Sequence, residues 1–210
     1  MRVLVVCDDF YHPARIPRAG LDGLGDSDFS FDYLEDPRTL TAEQLTAYPL
    51  LLLTKSNHLS ASDKSEWITD DLQATIAAFV RDGKSLLVIH SGSAGYQDSP
   101  LIRSVIGGTF LRHPAQCPVT IAPAVQHPIT TDIAPFTVVD EHYVMALDDP
   151  QAEMILTASS ANEAEVQPAG WCRTEGKGRV CVLTPGHNLE VWQHPTYQTI
   201  IRNALRWCLL

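Results

Sequence analysis

Residues 85–95 read SLLVIHSGSAG, a solid apolar run that stops at a histidine and passes into a loop rich in glycine and serine. A short apolar run without polar alternation is typical of a strand that is buried on both faces of a parallel sheet. Residues 49–54 (PLLLLT) form a second such run, and residues 2–7 (RVLVVC) form a third. The three runs predict the central strands of an open parallel sheet, each followed by a polar loop.

The segment between the two leucine-rich runs carries a helical pattern. Apolar residues from Trp67 to Val80 recur at spacings of three and four, which predicts an amphipathic helix. Asp63 and Glu66 are placed like a capping box before this helix, and Gly83 is placed like its C-terminal stop. A strand–helix–strand unit follows, as expected for a parallel pair of strands.

The rest of the chain continues the alternation of strands and helices, with one exception. Residues 113–150 are rich in proline and histidine and contain only short β-like pieces, which predicts an irregular insertion of strands and loops. We see no internal repeat and no linker, so the sequence predicts one α/β domain over residues 1–210 with a doubly wound, mostly parallel sheet. Further elements are predicted as strands at 29–34, 153–157, 170–174 and 179–184, a hairpin turn at 175–178, and helices at 101–106 and around 200–207.

Composition excludes several classes of partner. The 210 residues include 15 Lys and Arg against 25 Asp and Glu, and the net charge of −10 would repel phosphate backbones and anionic membrane surfaces. We therefore predict no nucleic-acid partner and no membrane association. No apolar run approaches the roughly 20 residues of a spanning helix, and the N-terminus lacks the apolar region of a signal peptide, which predicts a cytoplasmic protein. Five scattered cysteines without a C-x-x-C pair are interpreted as buried apolar residues.

Three histidines follow predicted strands at the point where a ligand site is expected. Open parallel sheets bind ligands beyond the carboxyl ends of their strands, and His12, His90 and His187 each lie just after such an end. The acidic pair Asp140 and Glu141 lies in an irregular region of the chain. Imidazoles with a carboxylate can act as general acid and base, or they can bind a divalent metal such as zinc or manganese. No local motif such as H-E-x-x-H occurs, so no residue is assigned as a metal ligand.

The glycine- and serine-rich loop offers a different reading. Its sequence SGSAG at 91–95 partly matches the G-x-S-x-G turn that presents a nucleophilic serine, which would make Ser93 the nucleophile of a hydrolase. A flexible loop that lets the backbone approach a ligand is the favoured alternative. Ser91, Ser93 and Tyr96 are therefore candidates for substrate binding, and the ring of Tyr96 could pack on a sugar or instead belong to the core.

Seven short motifs occur in one order along nearly the whole chain. They are Phe10-Tyr11-His12, Leu87-Val88-Ile89-His90, Ile106-Gly107-Gly108-Thr109-Phe110 leading to His113-Pro114, His127-Pro128-Ile129-Thr130, Asp140-Glu141-His142-Tyr143, Gly176-Lys177-Gly178-Arg179-Val180 and Gly186-His187. Together they resemble the ThuA-like (trehalose utilisation) family, a branch of the class I glutamine amidotransferase-like superfamily.

The resemblance implies a flavodoxin-like sheet and a sugar as ligand. His90 stands where the superfamily has its cysteine nucleophile, so no glutaminase activity is expected. Similar proteins are linked to the catabolism of trehalose-like disaccharides through keto sugars. By this resemblance His12, His90, His113, Glu141 and His187 line the pocket.

Two functions from different classes remain open at this point. The first is a sugar-processing enzyme with His90, His187, Glu141 and His12 as catalytic residues and His113 as a substrate-binding residue. The second is a non-catalytic sugar-binding or regulatory module with the same fold. A small-molecule sugar is the expected partner in both, and a homo-oligomer is compatible with either.

Overall fold

The computed structural model describes residues 1–25 and 28–210, which contain eleven strands and six α-helices. The strands are β1 (Arg2–Val6), β2 (Ser30–Leu34), β3 (Leu50–Leu53), β4 (Ser85–Ile89), β5 (Gly108–Arg112), β6 (Cys117–Pro123), β7 (Phe136–Asp140), β8 (Val144–Leu147), β9 (Glu153–Ser160), β10 (Glu163–Glu175) and β11 (Gly178–Leu183). The helices are α1 (Arg15–Asp22), α2 (Ala42–Thr46), α3 (Asp70–Arg81), α4 (Pro100–Ile106), α5 (Leu189–Trp192) and α6 (Pro195–Cys208).

One large sheet organises the chain. Its nine strands run in the order β2-β1-β3-β4-β11-β10-β9-β6-β7. The first five pair in parallel, and the last four extend the sheet by antiparallel pairing. The three apolar runs that predicted central strands are β1, β3 and β4, and the predicted hairpin joins β10 to β11. The α/β class with a large, mostly parallel sheet is confirmed.

Helices cover both faces of the parallel strands. Alternate residues of a strand point to opposite faces, and in β3 Leu50 and Leu52 pack into one buried cluster while Leu51 and Leu53 pack into another. The first cluster includes residues of α1, α5 and α6, and the second includes residues of α2, α3 and α4. Burial on both faces explains why these strands are continuously apolar rather than alternating.

The segment predicted as an irregular insertion is more regular than expected. Strands β6 and β7 join the main sheet, whereas β5 and β8 form a separate antiparallel ribbon. Four successive antiparallel pairings separate β7 from β11, so β7 runs in the same direction as the parallel strands. The end of β7 at Asp140 therefore lies at the same edge of the sheet as the ends of β1, β4 and β11.

The cysteine prediction is confirmed, since all five cysteines are free and buried. Within the part of the chain that the structure describes, no helix is long and apolar enough to span a bilayer.

The predicted start of the central helix is wrong. Trp67 and Ile68 precede α3 and are held by the loop after β3, because the Trp67 indole donates to Ser56 O (2.9 Å) and Ile68 N donates to Asn57 Oδ1 (3.2 Å). The cap is Thr69, whose side chain accepts from Leu72 N at 3.3 Å. Because Thr69 caps the first turn of α3, the capping box predicted at Asp63 and Glu66 is not the cap of this helix.

We expect Thr69→Ala to lower the free energy of unfolding by about 1 kcal/mol, because it removes the acceptor for a helix N-terminal amide. Glu66→Ala is the matched control, since Glu66 is exposed and lies outside the observed cap. Chemical denaturation of both variants checks this assignment. A larger loss of unfolding free energy in Glu66→Ala than in Thr69→Ala would contradict this assignment and favour the cap predicted at Asp63 and Glu66.

Candidate metal centre

Four of the predicted catalytic residues meet at one edge of the sheet. His12 follows β1, His90 follows β4, His187 follows β11 and Glu141 follows β7. One ligand atom from each of the four lies within 4.8 Å of the others. The ring centroids of the three histidines are 4.9, 5.0 and 5.6 Å apart, with the rings close to perpendicular. The prediction that distant strand ends bring these residues together agrees with this geometry.

His90 occupies a sharp turn between β4 and a short 3-10 segment at 90–93. Its φ of +50° is uncommon for a residue with a side chain. The turn is packed tightly, because a Cβ at Gly92 would lie 2.1 Å from the carbonyl oxygen of Leu53. The backbone therefore holds the His90 side chain at the sheet edge with little freedom.

The hydrogen bond at Nδ1 of His90 determines which of its two ring nitrogens carries the proton. Nδ1 lies 2.8 Å from the carbonyl oxygen of Thr184, which can only accept, so Nδ1 carries the proton in the neutral ring. Nε2 is then left with its lone pair, 3.4 Å from Glu141 Oε2. Burial acts to lower the pKa of His90, but Glu141 and Asp140 offset it and raise that pKa above its ordinary value.

His12 is held in the same way by a buried carboxylate. Asp9 is fully buried and accepts from His12 Nδ1 at 2.7 Å, from the backbone amides of Tyr11 and His12, and from Ser56 N at 2.8 Å. Burial would raise the pKa of Asp9, but the bonds from His12 and the amides hold it well below its usual range. Burial lowers the pKa of His12, and its Nε2 is a buried atom with no hydrogen-bond partner in the described chain.

Asp140 positions the other half of the centre. Its carboxylate accepts from Glu141 N (2.9 Å), Gly186 N (2.8 Å) and His187 N (3.0 Å), which ties the end of β7 to the loop after β11. Glu141 Oε1 lies 3.1 Å from His187 Nδ1, but this nitrogen has no aligned hydrogen-bond partner among residues 1–25 and 28–210. Burial acts to raise the pKa of Glu141, and contact with His187 and His90 holds it below its ordinary value.

The donor set fits a divalent cation. Three imidazole nitrogens and one carboxylate are ligands that zinc accepts, and imidazole with carboxylate also suits manganese. Two residues of the group, His12 and His187, each have a buried ring nitrogen without a hydrogen-bond partner in the described chain, Nε2 and Nδ1 respectively. The outer hydrogen bonds to Asp9 and Thr184 are the supports that metal-binding histidines usually have. No other group of three such residues occurs in the described ranges.

A cavity of about 470 Å³ opens over the centre. Glu141 and His12 are polar groups of its wall, and Phe110 and Tyr143 provide aromatic surface. No lysine or arginine lines it within the described ranges. Its lining consists of Tyr11, His12, Ser56, His58, Ala94, Gly95, Gln97, Phe110, His113, Glu141 and Tyr143.

One of the four predicted substrate-binding residues lines the cavity, and the other three do not. His113 lines the cavity with Nε2 3.5 Å from Glu141 Oε1. Ser91, Ser93 and Tyr96 are fully buried, and their hydroxyls donate to the backbone carbonyls of Thr54, His90 and Lys55. Backbone carbonyls of the surrounding loops satisfy these hydroxyls, so they do not face the cavity. The structure therefore gives Ser93 no access to a substrate as a nucleophile.

Sequence reasoning missed Asp9 and assigned no role to Asp140 or Tyr143. Asp9 and Asp140 hold the ligand-bearing loops, and Tyr143 lies 3.1 Å from His90 Nε2 through its hydroxyl. The one available signal was position, since Asp9 follows a buried strand and Asp140 and Tyr143 flank Glu141 in the sequence.

Solved structures share this fold. A ThuA-like protein from Bacteroides uniformis is 18% identical and superimposes with a TM-score of 0.78, covering 99% of this chain and 91% of that chain. A cytoplasmic protein from Salmonella typhimurium LT2 is 17% identical with a TM-score of 0.75, covering 99% of each chain. A β-galactosidase from Rahnella sp. R3 is 14% identical with a TM-score of 0.66, covering 97% of this chain and 31% of that chain. At these identities the likeness shows the fold alone.

No curated protein matches this chain. The sequence model of the ThuA family, described as trehalose utilisation, matches residues 2–208. This match covers nearly the whole chain and agrees with the structural likeness to a ThuA-like protein. The chain therefore belongs to the ThuA family.

Proposed function

We propose that this protein is an enzyme of sugar metabolism that works with a divalent cation, zinc or manganese, held by His12, His90, Glu141 and His187. The observation that carries the proposal is the convergence of four ligand atoms within 4.8 Å beside a cavity, with two buried ring nitrogens unpartnered in the described chain. Hydrogen bonding alone leaves these nitrogens unsatisfied, which is unfavourable in a buried site.

The charges around the centre also favour a cation. Asp9 and Asp140 are buried, Glu141 is nearly so, and Lys55 is the buried cation beside Asp9. These carboxylates outnumber the one ammonium, and although burial acts to lower the pKa of His90, Glu141 and Asp140 raise it above its ordinary value, so the centre favours positive charge. Buried charges need compensation, and a divalent cation would supply it.

The bound cation would polarise a carbonyl or hydroxyl oxygen of the substrate. The protein's own contribution to proton transfer is His113, whose Nδ1 bonds to the backbone oxygen of Pro114 at 2.7 Å. Its Nε2 faces Glu141 at the cavity wall. A histidine nitrogen at a cavity wall can act as general acid or base, so we assign proton transfer beside a substrate carbonyl to Nε2 of His113.

The cavity supports a neutral sugar as substrate. Its volume of about 470 Å³ accommodates a small saccharide, and its lining includes aromatic faces together with histidine, serine and glutamine side chains. No lysine or arginine is among the described lining residues, so a phosphate group would find no permanently cationic side chain there. Membership of a family named for trehalose utilisation agrees with a trehalose-like disaccharide or its keto derivative.

We expect the purified protein to bind one zinc or manganese ion per chain, as measured by elemental analysis after dialysis. His12→Ala and His187→Ala are each expected to weaken binding more than about 100-fold, since the loss of an outer partner alone costs 10- to 100-fold. His58→Ala is the matched control, because His58 lines the same cavity outside the group of four. Equal metal content in all four proteins would contradict the proposed ligands.

Asp9→Asn is expected to weaken metal binding by roughly 10- to 100-fold. The substitution removes the carboxylate that orients His12. One backbone amide that donated a hydrogen bond to Asp9 then faces the side-chain NH₂ group of asparagine. Asp32→Asn on β2 is the control, since Asp32 is remote and partly exposed. Titration calorimetry with zinc measures both, and circular dichroism monitors the fold. Unchanged affinity in Asp9→Asn would show that His12 needs no support.

His113→Gln is expected to lower turnover of a keto-disaccharide by roughly 10²- to 10⁴-fold, the usual contribution of a general acid or base. Its metal content and thermal midpoint are expected to stay close to those of the parent. His127→Gln serves as the control, because His127 precedes and caps the 3-10 segment Pro128–Thr130 and lies outside the cavity. Turnover is measured on trehalose, glucose and their 3-keto derivatives. Saturable binding of these sugars without turnover in the parent would favour the non-catalytic module.

A further inference from the structure

Tyr143 lies where the metal centre meets the cavity. The residue is 3% exposed yet it lines the cavity. Its ring stacks on His90, with centroids 4.3 Å apart and planes 25° apart, and contacts the ring of Phe110 at 4.3 Å. The phenol is therefore held between two rings with its hydroxyl directed at the centre.

The hydroxyl of Tyr143 has one protein partner within the described ranges. It lies 3.1 Å from His90 Nε2, the nitrogen that carries the lone pair because Nδ1 donates to Thr184 O. The hydroxyl must therefore be the donor in this contact when the ring is neutral.

A cation at the centre changes the partner of this hydroxyl. The single lone pair of His90 Nε2 cannot both bind a cation and accept the Tyr143 proton. A buried donor without an acceptor is unfavourable, so the hydroxyl needs a new acceptor. The described residues offer no other hydrogen-bond acceptor to this hydroxyl, and the open side of the site is the cavity.

We propose that Tyr143 is a substrate-contacting residue whose hydroxyl donates a hydrogen bond to the ligand oxygen that binds beside His90. The inference rests on the proposed function, because it requires an occupied centre. It adds a specificity rule: the oxygen that enters the centre must accept a hydrogen bond from the Tyr143 side, as a carbonyl or hydroxyl oxygen of a sugar does. Tyr143 thereby orients the substrate through a second contact next to the cation.

The test uses acetohydroxamate, a small metal-binding ligand with acceptor oxygens, and the zinc-loaded full chain. Tyr143→Phe removes the hydroxyl and keeps the ring packing against His90 and Phe110. We expect one zinc per chain in this variant and at least a roughly tenfold weaker affinity for acetohydroxamate, as for a lost hydrogen bond to a charged acceptor. Tyr33→Phe is the matched control, because Tyr33 lies on the edge strand β2 and its hydroxyl donates to Asp22 Oδ1 at 3.3 Å. The affinity of this variant for acetohydroxamate is expected to be unchanged.

The possible outcomes distinguish failure of the substrate contact from failure of the metal centre. Equal affinity in Tyr143→Phe and the parent, with zinc retained, overturns the substrate contact and leaves the metal centre standing. Loss of zinc from Tyr143→Phe alone makes the hydroxyl a support for His90 and also overturns the contact. A parent chain that holds no zinc or manganese overturns both proposals. Tyr143→Met, whose flexible side chain fills the same space, repeats the measurement if the phenylalanine variant fails to fold.

Discussion

The carboxylate of Asp140 joins the two halves of the sheet, and the site depends on that junction. Strand β7 is at the edge of the antiparallel half, four pairings away from β11. By accepting the backbone amides of Gly186 and His187, Asp140 holds the end of β7 against the loop that follows β11. Its own neighbour Glu141 is thereby placed among three histidines that the parallel half supplies. The junction uses backbone amides, and it also requires a glycine at 186, because φ is +144° there and a Cβ would lie 3.1 Å from His90 Cβ.

The supports of the three histidines differ, and two of them determine which ring nitrogen carries the proton in neutral His12 and His90. Asp9 gives His12 a charged partner, Thr184 gives His90 a neutral carbonyl, and Asp140 holds the backbone of His187 rather than its ring. In the neutral rings of His12 and His90, Nδ1 carries the proton and Nε2 keeps its lone pair. The buried side chains Asp9 and Lys55 also fasten the loop after β1 to the loop after β3, since Asp9 accepts from Ser56 N and Lys55 donates to the backbone oxygen of Asp8. The same contacts therefore shape the cavity rim and orient the ligand atoms.

Much of this arrangement could be predicted from the sequence, for physical reasons that also mark the limit. Buried parallel strands are continuously apolar, so β1, β3 and β4 were recognisable, and the rule that ligands bind at strand ends selected His12, His90 and His187. The start of α3 was misplaced because Trp67 and Ile68 continue the helical spacing while bonding to the loop before the helix. The candidates Ser91, Ser93 and Tyr96 lie in the right loop but point into it, since side-chain direction after a tight turn depends on local hydrogen bonds. The role of Asp140 could not be predicted, because it requires the register of four antiparallel strands.

The turn that holds His90 shows how a fold can change its chemistry at one position. The positive φ of His90 and the close approach of Gly92 to Leu53 create a sharp turn that presents one side chain at the end of a central strand. A thiol or hydroxyl in that place would be available for nucleophilic attack. An imidazole with Nδ1 bonded to Thr184 presents instead a fixed nitrogen lone pair, which suits coordination. The same turn can present a thiol, a hydroxyl or an imidazole, so the fold alone does not determine the reaction. The partners of the side chain decide it, and here they are two further histidines and a carboxylate.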